Sequence, residues 1–390
     1  MNIPAVITGQ GDFTRTWPDQ PTQPAQLLTH SRMQSFKACP RKHYYAYELA
    51  IRPDDTAKAL RLGSAVHLGL NARAKGRSAE DAAIMATASY ETLPTWATSD
   101  ETRHEWYCER EIVARLLMGY WWYWENTQAP PDITPVEIIE SEKVFHLPIV
   151  NPTTGYPMRD IMAGGKRDAI VKLGDGRRAV MEHKTTSDDI APDSDYWKRL
   201  KIDQQISLYM LDSGCETVLY DVIRKPSIKP QQIPVLDENQ LKIVVDTATG
   251  ERCLKSNIKK DGTPGAGHGE PYQSANAEKG WVLQTRVETP EEFGDRLSDD
   301  IGERPERYFA RREIARIAAD LADFREELFQ QAHAIHEAQK NGRHFRNTAS
   351  CIGFGRCPYF EPCTSGHDFT TVPAGFVRVS DLHPELSGDD

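Results

Sequence analysis

Gly165-Lys166-Arg167-Asp168-Ala169-Ile170-Val171, then Leu173-Gly174-Asp175-Gly176-Arg177, then Ala179-Val180-Met181-Glu182-His183-Lys184-Thr185-Thr186 is the stretch whose reading decides the fold. Two apolar-flanked runs joined by Gly-Asp-Gly read as a β-hairpin, because these residues supply the backbone angles of a tight turn. Glu182 and Lys184 are two residues apart, so a strand aims both at one face, and Asp168 stands on the neighbouring run. An Asp, a Glu and a Lys converging at one end of a sheet make a metal-plus-lysine site. The plain alternative is a solvated hairpin with surface charges, and the rest of the chain decides between the two.

The chain has 390 residues, 27% charged and 39% hydrophobic, the composition of a soluble globular protein large enough for a full core. No apolar run is long enough to span a bilayer, and no basic-then-apolar leader opens the sequence. The expectation is a cytoplasmic protein, or host cytoplasm for a phage-encoded one, with no membrane partner. In that compartment the seven cysteines are not expected to form disulfides. A net charge of −10 argues against non-specific coating of nucleic acid but leaves room for a local basic groove.

Residues 1–30 lack periodicity and read as a loose extension. A single domain is expected over residues 31–365. Within it, 31–135 read as helical: Ser31 or Ser35 caps a helix running through Cys39 to about Ala50, Leu60–Leu70 starts a second, and 78–126 are helical. Residues 136–225 carry strands at Val136–Ile139, Lys143–Leu147 and Thr217–Ile223 around the hairpin, with a helix over 194–212. Residues 226–285, with the loop Gly262–Gly269, read as an insertion or arm. Residues 286–345 return to helix with Gly342 as a stop, 346–365 form a cysteine-bearing loop, and 366–390 a poorly structured tail. The order of elements gives an α/β fold, a small mixed sheet flanked by helices.

Two carboxylates such as Asp168 and Glu182 bind Mg2+ or Mn2+ through oxygen and leave positions open for a phosphate. A neighbouring lysine, Lys184, orients a water and offsets charge developing on that phosphate. The His183 carbonyl is a further ligand candidate. His67, four residues after Gly63, is either a core histidine or a third ligand, and an imidazole tilts preference toward Mn2+. Gln205 and Tyr209 share one helix face, either finishing a core helix or touching water and DNA backbone. Cys351, Cys357 and Cys363 form C-x5-C-x5-C in a Gly- and Pro-bearing loop. Three cysteines so placed point to metal, and Cys39, at a Cys-Pro bend, is the best fourth ligand. Zinc satisfies the same set, but the absence of C-x2-C knuckles favours an iron–sulfur cluster. Cys108, Cys215 and Cys253 read as buried or incidental. Basic groups around Arg32–Lys42, Lys198–Lys201 and Arg343–Arg346, interleaved with Tyr44, Tyr45, Tyr47 and Trp197, are either solvated faces or a single-strand track. The run Tyr120–Trp124 reads as helix packing.

These residues together resemble a known family. Ser35-Phe36-Lys37-Ala38-Cys39-Pro40-Arg41-Lys42, Gly63-x-x-x-His67, Gly165-x-x-Asp168, Glu182-His183-Lys184 and Gln205-x-x-x-Tyr209 are similar, in that order, to the motifs of RecB-like iron–sulfur nucleases of the PD-(D/E)xK superfamily. Relatives of that type include CRISPR-adaptation exonucleases, the AddB nuclease domain and phage-encoded proteins. The resemblance implies a four-stranded restriction-endonuclease-like core and a Mg2+- or Mn2+-dependent DNA exonuclease, in phage or mobile-element recombination or repair. DNA, as single strands or duplex ends, is the implied partner, with recombination proteins beside it. By carry-over, His67, Asp168, Glu182 and Lys184 are the catalytic set, assisted by Gln205 and Tyr209. Cys39, Cys351, Cys357 and Cys363 would hold a [4Fe–4S] cluster joining the N- and C-terminal segments. The rival is a non-catalytic, cluster-stabilised DNA-binding subunit. The cysteine spacing and the 226–285 insertion depart from the family pattern.

Overall fold

The hairpin forms and lies inside a larger sheet. The structure is a computed structural model describing residues 26–54, 57–215, 217–254, 280–352 and 356–386. It begins with strand β1 (Gln26–Leu28), helix α1 (His30–Ala38) and helix α2 (Pro40–His43), which runs on into a π-helical turn over Tyr44–Glu48. Strand β2 (Ile51–Pro53) precedes helices α3 (Lys58–Ala74), α4 (Ala79–Thr87) and α5 (Asp100–Asn126). Strands β3 (Pro135–Val150), β4 (Pro157–Leu173) and β5 (Arg178–Thr186) follow, then helices α6 (Asp195–Leu200) and α7 (Gln204–Ser213) and strand β6 (Thr217–Arg224). Short strands β7 (Gln232–Pro234), β8 (Ile243–Asp246), β9 (Arg252–Leu254), β10 (Trp281–Leu283) and β11 (Thr285–Val287) build two small antiparallel sheets, β10-β8-β9 and β11-β7. Helix α8 (Pro290–Glu303), strand β12 (Phe309–Ala315), helix α9 (Ala318–Lys340), helix α10 (Phe360–Thr364) and strand β13 (Phe376–Arg378) complete the order.

The central sheet has six strands in the order β1-β4-β5-β6-β12, with β3 along the other edge of β4. β5 and β6 are parallel; β3–β4, β4–β5 and β6–β12 are antiparallel. The decisive feature is a fork. β4 and β5 pair only from Ala169↔Met181 to Lys172↔Arg178. Beyond that point β5 continues along β6 as far as Thr186↔Arg224, while β4 takes β1 as its neighbour at Ile161–Ala163. The fork leaves a gap between Asp168 on one arm and Glu182 and Lys184 on the other.

Apolar residues cover both faces. Ile170, Val180, Val218, Tyr220 and Val222 pack with Ile206, Leu208, Phe324 and Leu328 from α7 and α9. On the other side Leu62, Val66, Leu116, Leu117, Phe293 and Leu297 join α3, α5 and α8 into a second core that reaches Ile223 and Phe309 of the sheet. β6 is buried along almost its whole length, as expected of a central strand paired on both edges and covered on both faces.

Several expectations are corrected. The implied four strands are six, because β1 and β12 extend the sheet. The helix expected across 286–345 is interrupted by β12: its Ala, Arg and Glu favour helix, but pairing with the open edge of β6 outweighs that weak preference. The N-terminal helix is capped by the Thr29 side chain rather than by Ser31 or Ser35, and it breaks at Cys39, whose extended backbone precedes Pro40. The helix over 194–212 is two helices, with Asp203 capping the second. The expected poorly structured tail holds strand β13, which pairs with β2, and Arg52 donates to the Leu382 carbonyl at 2.5 Å. The end of the expected loose extension holds β1, while residues 1–25 and the loop Gly262–Gly269 lie outside the described residues. Among the described residues no helix is long and apolar enough to cross a membrane.

Candidate active site

Each motif residue reaches the fork by an identifiable local device. Gly63 lies on α3 where a Cβ would come 3.2 Å from Thr185 Oγ1, so the glycine lets the helix run close to β5. One turn later the same face delivers His67, whose Nδ1 lies 3.5 Å from Asp168 Oδ1. Gly165 does the same for α7, because a Cβ there would meet Tyr209 Cε1 at 2.8 Å. Asp168 bridges the fork through its Oδ2, which accepts the His183 backbone N–H at 2.8 Å. A strand residue points its N–H and C=O to the same edge, so the His183 carbonyl faces the arm carrying Asp168.

Lys184 is the hub of the other arm. Its Nζ lies 2.8 Å from Glu182 Oε1, donates to Gln205 Oε1 at 2.5 Å and sits 3.7 Å from Asp203 Oδ2. Gln205 Nε2 in turn donates to the Tyr209 hydroxyl at 2.9 Å. Glu182 is 2% exposed, and its Oε2 has no hydrogen-bond partner. A buried carboxylate oxygen left unpaired is costly, and a cation is the natural partner for it. His67, Asp168, Glu182, Lys184, Gln205 and Tyr209 all line one cleft of ≈ 870 Å3.

The electrostatics follow from this crowding. Burial, then the Asp168 charge, pushes Glu182 up to about 7, with Lys184 opposing. Burial would also raise Asp168, but His67 and His183 outweigh it and hold Asp168 at about 2. Burial pulls His67 down, yet Asp168, Glu182 and Glu142 carry it up to about 9. Lys184 loses water too, but Glu182 and Asp203 more than compensate, so it stays charged. Burial drives the Tyr209 hydroxyl well above its ordinary value, so it remains a neutral donor.

The reverse side of β5 holds a residue that the motifs do not reveal. The His183 side chain turns away from Glu182 and Lys184 and lies 2.8 Å from Asp221 Oδ2. Asp221, fully buried on β6, also accepts from Arg311 Nε at 3.0 Å and from the Tyr120 hydroxyl. One signal was present in the sequence: a lone acid inside the apolar run Thr217–Ile223. Asp203 was missed as well, and its signal was an Asp directly before a helical Gln-Gln pair.

The four cysteines of the expected cluster make separate local contacts, of which those of Cys39 and Cys351 meet at Asn347. Asn347 N–H donates to Cys39 Sγ at 3.4 Å, and Cys351 Sγ lies 3.8 Å from the Asn347 carbonyl. Cys357 N–H donates to the Cys351 carbonyl at 3.0 Å, and Arg346 reaches the Cys363 carbonyl at 3.0 Å. All seven cysteines are free. Among the described residues no three His, Cys, Asp or Glu side chains are arranged to hold a metal, and residues 353–355 between Cys351 and Cys357 lie outside that set. Part of the basic and aromatic track is structural. Arg32 is buried on the Leu27 carbonyl, Gln26 and His43, and Tyr45, Tyr47 and Trp197 are core residues, so none of these stacks a base in this state.

No curated protein matches the chain. The model of the PD-(D/E)XK nuclease superfamily matches residues 27–218, which include Cys39 and every motif residue from His67 to Tyr209 but stop before Cys351. The central mixed sheet flanked by helices, forked at Asp168, Glu182 and Lys184, fits a PD-(D/E)XK fold, in agreement with that match.

Proposed function

We propose that this protein is a divalent-metal-dependent DNA nuclease of exonuclease type, serving recombination or repair of phage or mobile-element DNA. The observation that carries this reading is the fork. Two carboxylates from different arms face one cleft, one of them with a buried, unpartnered oxygen, and a buried lysine lies beside them. Asp168, Glu182 and the His183 carbonyl would hold Mg2+ or Mn2+, with His67 as a further ligand. A bound cation supplies Lewis-acid stabilisation of phosphate charge and lowers the pKa of a water. Lys184 keeps its charge and offers an ammonium to the phosphate oxygen or the attacking water. Gln205 and Tyr209 fix the direction of that ammonium.

The finer reading adds a [4Fe–4S] cluster on Cys39, Cys351, Cys357 and Cys363. Its support is the bracketing of the core by one cysteine before and three after, and the meeting of Cys39 and Cys351 at Asn347. Four free thiols suit the group, which would pin the C-terminal loop to the α1–α2 junction. Absorbance near 400 nm with iron and sulfide content checks this, and stoichiometric zinc in a colourless protein refutes it.

The test of the activity is digestion of single-stranded DNA, labelled at its 5′ or 3′ end, with Mn2+ present. Wild type should shorten the strand progressively and Lys184→Ala should not. Binding with no cleavage by either protein would establish the non-catalytic alternative.

A further inference from the structure

Glu142 holds a backbone conformation that its residue type disfavours. Its φ is +51°, in the left-handed region where a Cβ is crowded. In β3 it stands between Ser141, paired with Ala169, and Lys143, paired with Arg167, so its register position is across from Asp168. Its carboxylate ion-pairs Lys166 Nζ at 2.6 Å, with the two side chains only 17% and 20% exposed. Lys166 is two residues before Asp168, so a strand projects both from the same face. Lys166 and Glu142 line the same cleft as Glu182 and Lys184.

The left-handed backbone of Glu142 and its place opposite Asp168 do not favour the fold by themselves. A carboxylate opposite another in a ladder repels it, and a strained non-glycine backbone persists only where the surroundings hold it. What the arrangement achieves is control of an ammonium. Lys166 shares the strand face of Asp168 two residues away, and Glu142 holds its ammonium at the cleft wall. The fork then presents one lysine from each arm, Lys184 on β5 and Lys166 on β4.

We propose that Lys166 is a second phosphate-binding lysine of this site, and that Glu142 is its positioning residue. Lys166 grips a non-bridging oxygen of the phosphodiester next to the one cleaved. The inference rests on the nuclease reading and deepens it, assigning two successive phosphates of one strand to the two arms of the fork.

The test compares wild type, Lys166→Met, Lys166→Arg, Glu142→Gly and the double variant Glu142→Gly/Lys166→Met on a fluorescein-labelled single-stranded oligonucleotide with Mn2+. Glycine accepts the backbone at 142, so Glu142→Gly should melt no lower than wild type. Its KM should nevertheless rise about tenfold, as should that of Lys166→Met, in each case by more than kcat falls. Lys166→Arg should recover most of the loss. The double variant should be no worse than Lys166→Met, because the two residues act as one unit. In binding titrations the log–log salt slope for Lys166→Met should be shallower by about 0.7, the share of one phosphate contact on a single strand. An unchanged KM and slope for Lys166→Met, in a wild type that cuts, overturns this inference alone. A lower melting temperature with unchanged KM for Glu142→Gly shows a merely structural carboxylate and overturns it too. A wild type that neither binds nor cuts the oligonucleotide overturns the nuclease reading, and this inference with it.

Discussion

Asp221→Asn is the most informative single change outside the cleft. The carboxylate is fully buried and is the counter-ion of Arg311, itself held 2.7 Å from the Tyr120 hydroxyl. The amide keeps the shape and removes the charge, leaving a buried guanidinium unpaired. Breaking such a pair costs about 3–5 kcal/mol. Linkage gives an independent figure. Burial alone would raise the Asp221 pKa, but Arg311, then His183 and Tyr120, hold it at about 2. Against about 3.9 in the unfolded chain, that shift is worth roughly 3 kcal/mol. The two routes agree near 3 kcal/mol. The sign follows from a depressed acid: the contribution is complete above the unfolded value and is lost as pH falls towards 2. Urea unfolding of wild type and variant at pH 7 should therefore differ by about 3 kcal/mol, shrinking to about half at pH 3. Cleavage should fall less than tenfold, since the His183 N–H still reaches Asp168. A difference under about 1 kcal/mol at pH 7 would refute the claim that this network locks β5 to β6 and β12.

Three further outcomes follow from the same geometry. Gly165→Ala places a Cβ 2.8 Å from Tyr209 and 3.0 Å from Phe145. It should cost about 1–3 kcal/mol by urea unfolding and lower kcat through Gln205, and a neutral effect on both would refute the close-approach role. Mn2+ affinity should rise well over tenfold from pH 6 to 8 by calorimetry, because Glu182, held at about 7, goes from about one-tenth to about nine-tenths ionised, and His67, held at about 9, must also shed its proton to ligate. Glu182→Gln should bind weakly with a rise about tenfold smaller, the remainder being the His67 proton, while an unchanged profile in that variant would remove Glu182 from the ligand set. Gly342→Ala, at φ +59°, should lower stability by about 1 kcal/mol without touching cleavage.

Much of the candidate site was legible because strand and helix periodicities are fixed. The two-residue spacing of Glu182 and Lys184 put both on one face. The four-residue spacings Gly63–His67 and Gln205–Tyr209 paired a function with the turn that delivers it. β12 was not legible, because Phe309–Ala315 is a strand only through the open edge of β6. Arg32, Tyr45 and Tyr47 looked like a nucleic-acid track because charge and aromaticity in sequence carry no information on burial.

The sequence alone thus determined the hairpin, its turn and the order of the acid, the acid and the lysine, since local backbone preferences and side-chain alternation suffice for these. Only the tertiary structure decided that β4 and β5 part beyond the Ala169–Met181 pair, that His67 and Tyr209 enter from different helices, and that Asp221 backs the site from a third strand. The strained Glu142 belongs to the same group, because its register against Asp168 exists only once β3 has paired with β4. Long-range pairing and burial are properties of the folded surroundings, and no window of sequence contains them.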